Sequence, residues 1–247
     1  ARELSNILDA QVAALKGSLN NLQIAQDKAV DTMTERTANY IGSLEKVVEI
    51  TGIDIEKLLA SSDNIVQREG QGGPFIPVNP DEAGGVLGKK LIRLEEHLGQ
   101  WESMQELMSR MPLAAPMKAY SITSSFGKRR DPVNKRWSAH YGLDFGGPIR
   151  SPIYAPAPGV VKQAGTKGRY GRFIEIDHGS GIKTRYGHLN RILVKRGEKV
   201  EFGQKIGQLG NSGRSTGPHL HYEVIFNGKP KDPMRFIKAG RHVFQKQ

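Results

Sequence analysis

The chain has 247 residues, with 36 Lys and Arg against 25 Asp and Glu, and no cysteine. That length admits one large domain or two moderate ones, and 37% hydrophobic residues are enough to bury a core. The composition excludes thiol catalysis, a disulfide framework and cysteine zinc sites, and no apolar run reaches the ~18 residues of a membrane-spanning helix. A cysteine-free chain fits an oxidising compartment such as a bacterial periplasm. The opening Ala-Arg-Glu-Leu has neither Met nor an apolar leader. It is expected to be the start of a piece of a longer protein, with room upstream for an anchor.

The net charge of +11 hides a division. Residues 1–112 carry 11 basic and 17 acidic side chains, whereas residues 113–247 carry 25 and 8. The composition changes at the same place, from helix formers to a stretch dense in Gly and Pro. We therefore expect an α+β protein of two parts: a helical coiled-coil region, 1–112, and a mostly antiparallel β domain, 113–247.

In the first part, apolar residues at Leu4, Leu8, Val12, Leu15, Leu19 and Leu22 recur at steps of three and four. The stripe fades over Gln26 and resumes through Ala29, Met33, Thr37, Tyr40, Leu44 and Val47. This heptad-like seam predicts one long helix over 1–50, which must pack against a partner helix or another domain. Thr51-Gly-Ile-Asp54 breaks it, and Asp54 is placed to cap a short helix over 54–60. Gly70-Gln-Gly-Gly-Pro74, Pro77 and Pro80 predict a flexible connection over 70–84. A second stripe, Leu91, Leu94, Leu98, Trp101, Met104, Met108 and Met111, predicts a long helix over 86–111. A packed helical hairpin is expected, serving also as a regulatory or partner-binding arm.

From Tyr120 onward the apolar period shortens and glycines recur. Strands are predicted at Ser121–Ser124, Gly159–Ala164, Arg172–His178, Ile182–Gly187, Lys205–Leu209 and His219–Phe226. Gly179-Ser-Gly181 and Asn227-Gly228 read as turns. No long helical pattern intervenes, which argues against parallel βαβ units.

Within this part the histidines carry the chemistry. His219-Leu-His221 lies on a predicted strand, where residues two apart share a face, so both imidazoles address one point. His140-Tyr-Gly-Leu-Asp144 adds an imidazole and a carboxylate beside a Gly-Gly-Pro turn, and His188 follows Tyr186-Gly187 at a strand end. Nitrogen and carboxylate ligands suit zinc, and three protein ligands with a fourth position open mark a catalytic site.

His140-x-x-x-Asp144 and His219-x-His221, the latter preceded by Gly213-Arg-Ser-Thr-Gly-Pro218, resemble the M23 family of zinc metallopeptidases, the lysostaphin- or LytM-type peptidoglycan endopeptidases. Ser124-Ser-Phe-Gly127 with Arg129 or Arg130, Ala155-Pro-Ala-Pro-Gly-Val160 and Tyr186-Gly-His-Leu189 match as well. The resemblance runs from about Pro116 to Phe236. It implies that His140, Asp144 and His221 bind zinc and that His188 and His219 are the catalytic histidines. His219, sharing a strand face with His221, is the first choice for the general base, with His188 donating to the water or to the oxyanion. The long helical arm is similar to that of Gram-negative members, which points to D-alanyl–diaminopimelate crosslinks in peptidoglycan peptide stems, in the periplasm or cell envelope. A membrane-anchored or division-complex partner is expected through the coiled coil. Restraint of the enzyme by the arm is expected from the opposite charges of the two parts.

Other readings have less behind them. Gly213-Arg-Ser215-Thr-Gly217 matches the serine-hydrolase pattern, but Pro218 and a strand follow where a helix is needed, so Ser215 is expected to shape a turn. The basic residues are scattered and carry no nucleic-acid motif, so no nucleic acid is expected as a partner. The stronger competitor is a non-enzymatic, LytM-like activator of a cell-wall amidase; such relatives usually lack the zinc ligands, and this chain keeps all three. His178 is expected at the surface or in a turn, His97 and His242 have no neighbouring partners, and Trp137 lines the groove or caps the sheet.

Overall fold

The computed structural model describes residues 2–62, 85–130 and 136–244. The expected connection over 70–84, with Pro77 and Pro80, lies outside them. The described chain forms two compact units, one of residues 2–43 and 85–104, the other of 44–62 with the remainder from 105.

Helix α1 spans Arg2–Thr51, α2 Ile55–Ser62 and α3 Gly85–Arg110. Asp54 caps α2 as expected, its Oδ1 accepting from the amides of Glu56 and Lys57 at 3.1 and 3.4 Å. In the first unit, Lys90 of α3 pairs with Asp31 and Asp27 of α1 at 2.8 and 3.8 Å. The buried seam of α1 differs from the predicted one. Thr37 and Val47 are buried as predicted and Val30 and Val48 join them, while Met33 and Tyr40 are exposed. The two threonines facing inward on this stretch tolerate burial because the hydroxyls of Thr34 and Thr37 donate to the carbonyls four residues back, at 2.9 and 2.8 Å. Leu8, Val12, Leu15, Leu19 and Leu22 are exposed, so among the described residues this earlier stretch has no packing partner.

The second unit is built on antiparallel pairings throughout. Its main sheet runs β1 (Ser121–Ser124), β4 (Leu143–Gly146), β12 (His219–Phe226), β8 (Ile182–Gly187), β7 (Arg172–Gly179), β6 (Gly159–Thr166) and β10 (Lys199–Val200), with β13 (Lys229–Lys231) also on β12. Two small sheets complete it: β2 (Gly127–Arg130) with β3 (Trp137–His140), and β5 (Pro152–Tyr154), β11 (Lys205–Leu209) and β9 (Leu189–Ile192). The six predicted strands are all present. The ones missed are short, and their pairing rather than their own sequence makes them strands. The core holds Phe145, Phe173, Ile174, Ile176, Tyr186, Tyr222 and Val224.

A closing helix, α4 (Pro233–Phe244), was also missed. Its signal is in the sequence: Asp232 precedes Pro233, and Asp232 Oδ1 accepts from the Met234 amide at 2.9 Å. Phe236, Ile237 and Ala239 are its buried face. The end of α1 belongs to this same unit, where Arg235 donates to the Ile50 carbonyl at 2.9 Å and Lys231 to that of Gly52 at 3.0 Å. Pro112, Leu113 and Pro116 are buried as well, so the stretch after α3 is packed rather than loose.

Candidate metal centre

Asp144 and His221 are direct cross-strand neighbours on β4 and β12, and His219 stands two residues along β12, opposite Gly146. His140, the last residue of β3, enters from the small β2–β3 sheet. His140 Nε2 lies 3.0 Å from Asp144 Oδ1 and 3.1 Å from His221 Nδ1, and His221 Nδ1 lies 2.8 Å from Asp144 Oδ1. Zinc bonds of ~2.0–2.1 Å in a tetrahedron put ligand atoms ~3.3 Å apart, so this spacing fits the ion. Among the described residues these three are the group that can hold a metal.

The surroundings of each ligand support the same assignment. His140 Nδ1 donates to the Ser125 carbonyl at 2.7 Å, which leaves Nε2 for a metal. His221 Nε2 donates to Glu223 Oε1 at 3.0 Å, which leaves Nδ1. Metal-ligating histidines are commonly oriented in this way by a carbonyl or carboxylate on the other nitrogen. Glu223 is 2% exposed and also accepts from Tyr170 Oη at 2.8 Å and Arg185 at 3.3 Å. Arg185 in turn holds Glu175 at 2.6 Å, so three cross-strand neighbours on β7, β8 and β12 form a charge row ending beside His221. Burial alone would raise the Asp144 pKa, but the His140 and His221 imidazoles beside it outweigh burial and hold the carboxylate well below its usual range. Burial likewise disfavours charge on His221, yet Asp144 and Glu223 together raise its pKa. Gly142 is required for this approach: a Cβ there would stand 2.7 Å from the His221 ring.

His188 and His219 lie beside the triad, with ring centroids 4.7 Å apart. His188 occupies the bend between β8 and β9 at φ +61°, a left-handed conformation that non-glycine residues adopt at some cost. Its amide donates to the Tyr170 carbonyl at 2.7 Å and its Nδ1 to that of Ser212 at 2.8 Å. His219 Nδ1 donates to the Gly217 carbonyl at 2.9 Å, and its Nε2 lies 3.9 Å from Asp144 Oδ1. Burial pushes the His188 pKa down to about 4. All five residues line one cavity of about 460 Å³.

The remaining sequence expectations divide. Ser215 shapes a turn, its hydroxyl donating to the Gly217 carbonyl at 2.7 Å. His178 is not a surface residue: it is 3% exposed, because it tucks under β6 and donates to the Pro158 carbonyl at 2.7 Å. His97 is half-buried with Nδ1 lacking a hydrogen-bond partner, and His242 is exposed. Trp137 is 72% exposed beneath the Arg130 guanidinium and lies outside the cavity lining. Sequence reasoning missed Glu223, Tyr170 and Arg185. Only Glu223 left a trace, as an acid running straight into the apolar Val224, Ile225 and Phe226 of β12.

Comparison with known proteins agrees with this geometry. Residues 138–233 match peptidase family M23. The peptidoglycan DD-endopeptidase ShyA of Vibrio cholerae is 42% identical over 154 residues, covering 60% of this chain and 35% of the relative. The DD-carboxypeptidase/endopeptidase Mpg of Neisseria meningitidis serogroup B is 42% identical over 119 residues, 48% of this chain and 27% of the relative. A solved zinc-containing peptidase from Vibrio cholerae is 44% identical, covers 50% of this chain and 39% of its own, and superposes with a TM-score of 0.47. The chain spans between about a quarter and about a third of the length of the two named relatives. Residues 138–233, the stretch that carries His140 on β3, Asp144 on β4 and His221 on β12, are thus the part of the chain that matches peptidase family M23.

Proposed function

We propose that the protein is a zinc endopeptidase that hydrolyses peptide crosslinks of bacterial peptidoglycan, most specifically the D-alanyl–diaminopimelate bond, in the cell envelope. The observation that carries this reading is a complete ligand triad opening into a cavity that two further histidines share. Similarity to the two relatives named for DD-peptide hydrolysis supports it.

A bound zinc ion would supply Lewis acidity, acidifying water and polarising the scissile carbonyl. The chain's own residues do the rest. His219 keeps its proton on Nδ1, against the Gly217 carbonyl, so its Nε2 lone pair takes the proton from the attacking water and later returns it to the leaving amine. His188 is likewise protonated on Nδ1, against Ser212, and burial keeps its ring neutral. In that state Nε2 accepts a hydrogen bond, so His188 orients the water or the leaving amine rather than donating to an oxyanion. The Nδ1 bond to the Ser212 carbonyl fixes this direction.

The alternative is a non-enzymatic activator of a wall amidase. One experiment separates the two: zinc content of the purified chain, with release of crosslinked muropeptides from sacculi. We expect one zinc per chain and turnover, both abolished in His221→Ala. A zinc-loaded chain that releases nothing would favour the activator, and a His221→Ala chain that keeps stoichiometric zinc would overturn the ligand assignment.

A further inference from the structure

The first half of α1 is a helix without a neighbour. Residues 5–26 are exposed throughout, and among the described residues the first buried side chain of the helix is Val30. Yet this stretch carries the most regular apolar stripe of the chain: Leu8, Val12, Leu15, Leu19 and Leu22, with Leu15 70% exposed. Helices in water owe most of their stability to a covered apolar face, and a large exposed patch of this kind marks a site of association.

The pattern of the stripe narrows what can cover it. Steps of four, three, four and three keep a strict heptad seam, which fits one other helix rather than the face of a globular domain. With Leu8, Leu15 and Leu22 at heptad position d, Val12 and Leu19 stand at a. A bilayer surface suits the stretch less well, because helices that lie on membranes pair a broad apolar face with a basic polar one. Residues 2–26 are balanced instead, with Arg2 and Lys16 against Glu3 and Asp9. The acidic excess of residues 1–112 therefore lies beyond this stretch, and two copies of it meet without net repulsion.

The stretch is also complementary to itself. A two-fold axis requires that residue i of one copy meet residue j of the other, and j meet i. About an axis between Val12 and Leu15, an antiparallel second copy sets Leu8 against Leu19 and Val12 against Leu15, each contact occurring twice. The charged residues flanking this seam are Asp9 and Lys16, both at heptad position e. Antiparallel pairing brings e beside e, so each Asp9 meets Lys16 of the second copy; charges at these positions set partner and orientation. In a parallel pair e faces g, Lys16 would meet Gln11, and that ion pair is lost.

We propose that α1 pairs with a second copy of this chain through Leu8–Leu22, as an antiparallel two-stranded coiled coil edged by Asp9–Lys16 ion pairs. The pairing is independent of the chemistry proposed for the metal centre.

The test follows the mass of the full chain by analytical ultracentrifugation across a dilution series. We expect a dimer that dissociates on dilution. Leu15→Asp puts a charge into the seam at a position that is exposed in the single chain, so folding is not at stake. It should raise the dissociation constant about 100-fold or more. Asp9→Lys and Lys16→Asp should each weaken the dimer about 3- to 10-fold, and the combined Asp9→Lys/Lys16→Asp variant should recover it. Because the chain has no cysteine, added thiols report the orientation. Leu8→Cys and Leu19→Cys chains, mixed under mild oxidation, should give the mixed disulfide, and neither should link to itself. A monomer at every concentration overturns the proposal, and cosedimentation of that monomer with phosphatidylglycerol vesicles would assign the stripe to a membrane instead. A dimer that survives Leu15→Asp, a combined charge variant that recovers nothing, or Leu8→Cys chains that link to themselves overturns it as well.

Discussion

Two residues beyond His221, the Glu223 carboxylate decides which imidazole nitrogen is left for the metal. The motif His219-x-His221 says that two imidazoles share a strand face, but not which nitrogen of His221 points inward. That is fixed by the Nε2–Glu223 hydrogen bond, and Glu223 is itself fixed by Tyr170 and Arg185. Glu223→Gln keeps the shape of the side chain but removes the charge that holds the row together. We expect zinc affinity to fall roughly 10- to 100-fold, measured by competition with a chromophoric chelator, with the fold intact by circular dichroism. Unchanged affinity would reduce Glu223 to a packing role. The sequence marks Glu223 as an acid beside apolar residues but does not announce this role, because Arg185 and Tyr170 lie on other elements.

At the scale of elements, the period-two pattern located β12 and β8, and the caps at Asp54 and Asp232 mark the starts of helices in ways the sequence states openly. The long seam of α1 was legible as helix but not as packing, since its periodicity does not say which residues a partner covers. The hairpin of β7 and β8 supplies a further prediction. His178 Nδ1 donates to the Pro158 carbonyl and Nε2 pairs with Thr184 Oγ1 at 2.8 Å, where the hydroxyl serves as donor to a neutral imidazole. Burial pushes its pKa down to about 4, against the Pro158 bond and nearby Asp177, which favour the charged form. The unfolded chain binds this proton below about pH 6.5 and the native chain only below about 4, so stability rises with pH between the two. Acidification across that window should remove roughly 3 kcal/mol. Urea midpoints at about pH 7 and about pH 5 check this: the fall should be clearly smaller in His178→Gln. An equal fall in both would assign the acid sensitivity elsewhere.

For the whole molecule, the charge division places −6 on residues 1–112 and +17 on residues 113–247. We expect from these charges that the helical arm restrains turnover, through attraction that salt screens over about 8 Å at physiological ionic strength. Turnover of a soluble crosslinked muropeptide should then rise from low to moderate salt; a flat or falling profile counts against restraint. Cutting the chain at residue 113 is a poor test. Val48, Ile53, Leu58, Leu107 and Met111 are buried, all lie in the unit that contains the sheet, and Arg235 and Lys231 hold the end of α1. The sequence alone determined helices α1 to α3, six strands, the family resemblance and the five histidine and aspartate positions of the site, because each is written in local periodicity or in a short motif. Only the tertiary structure decided which of them meet. Asp144 and His221 are 77 residues apart, and the pairing of β4 with β12 brings them to 2.8 Å. The same holds for the charge row behind His221 and for the burial of His178. Each is a contact between distant segments, which local propensity cannot encode and strand register can.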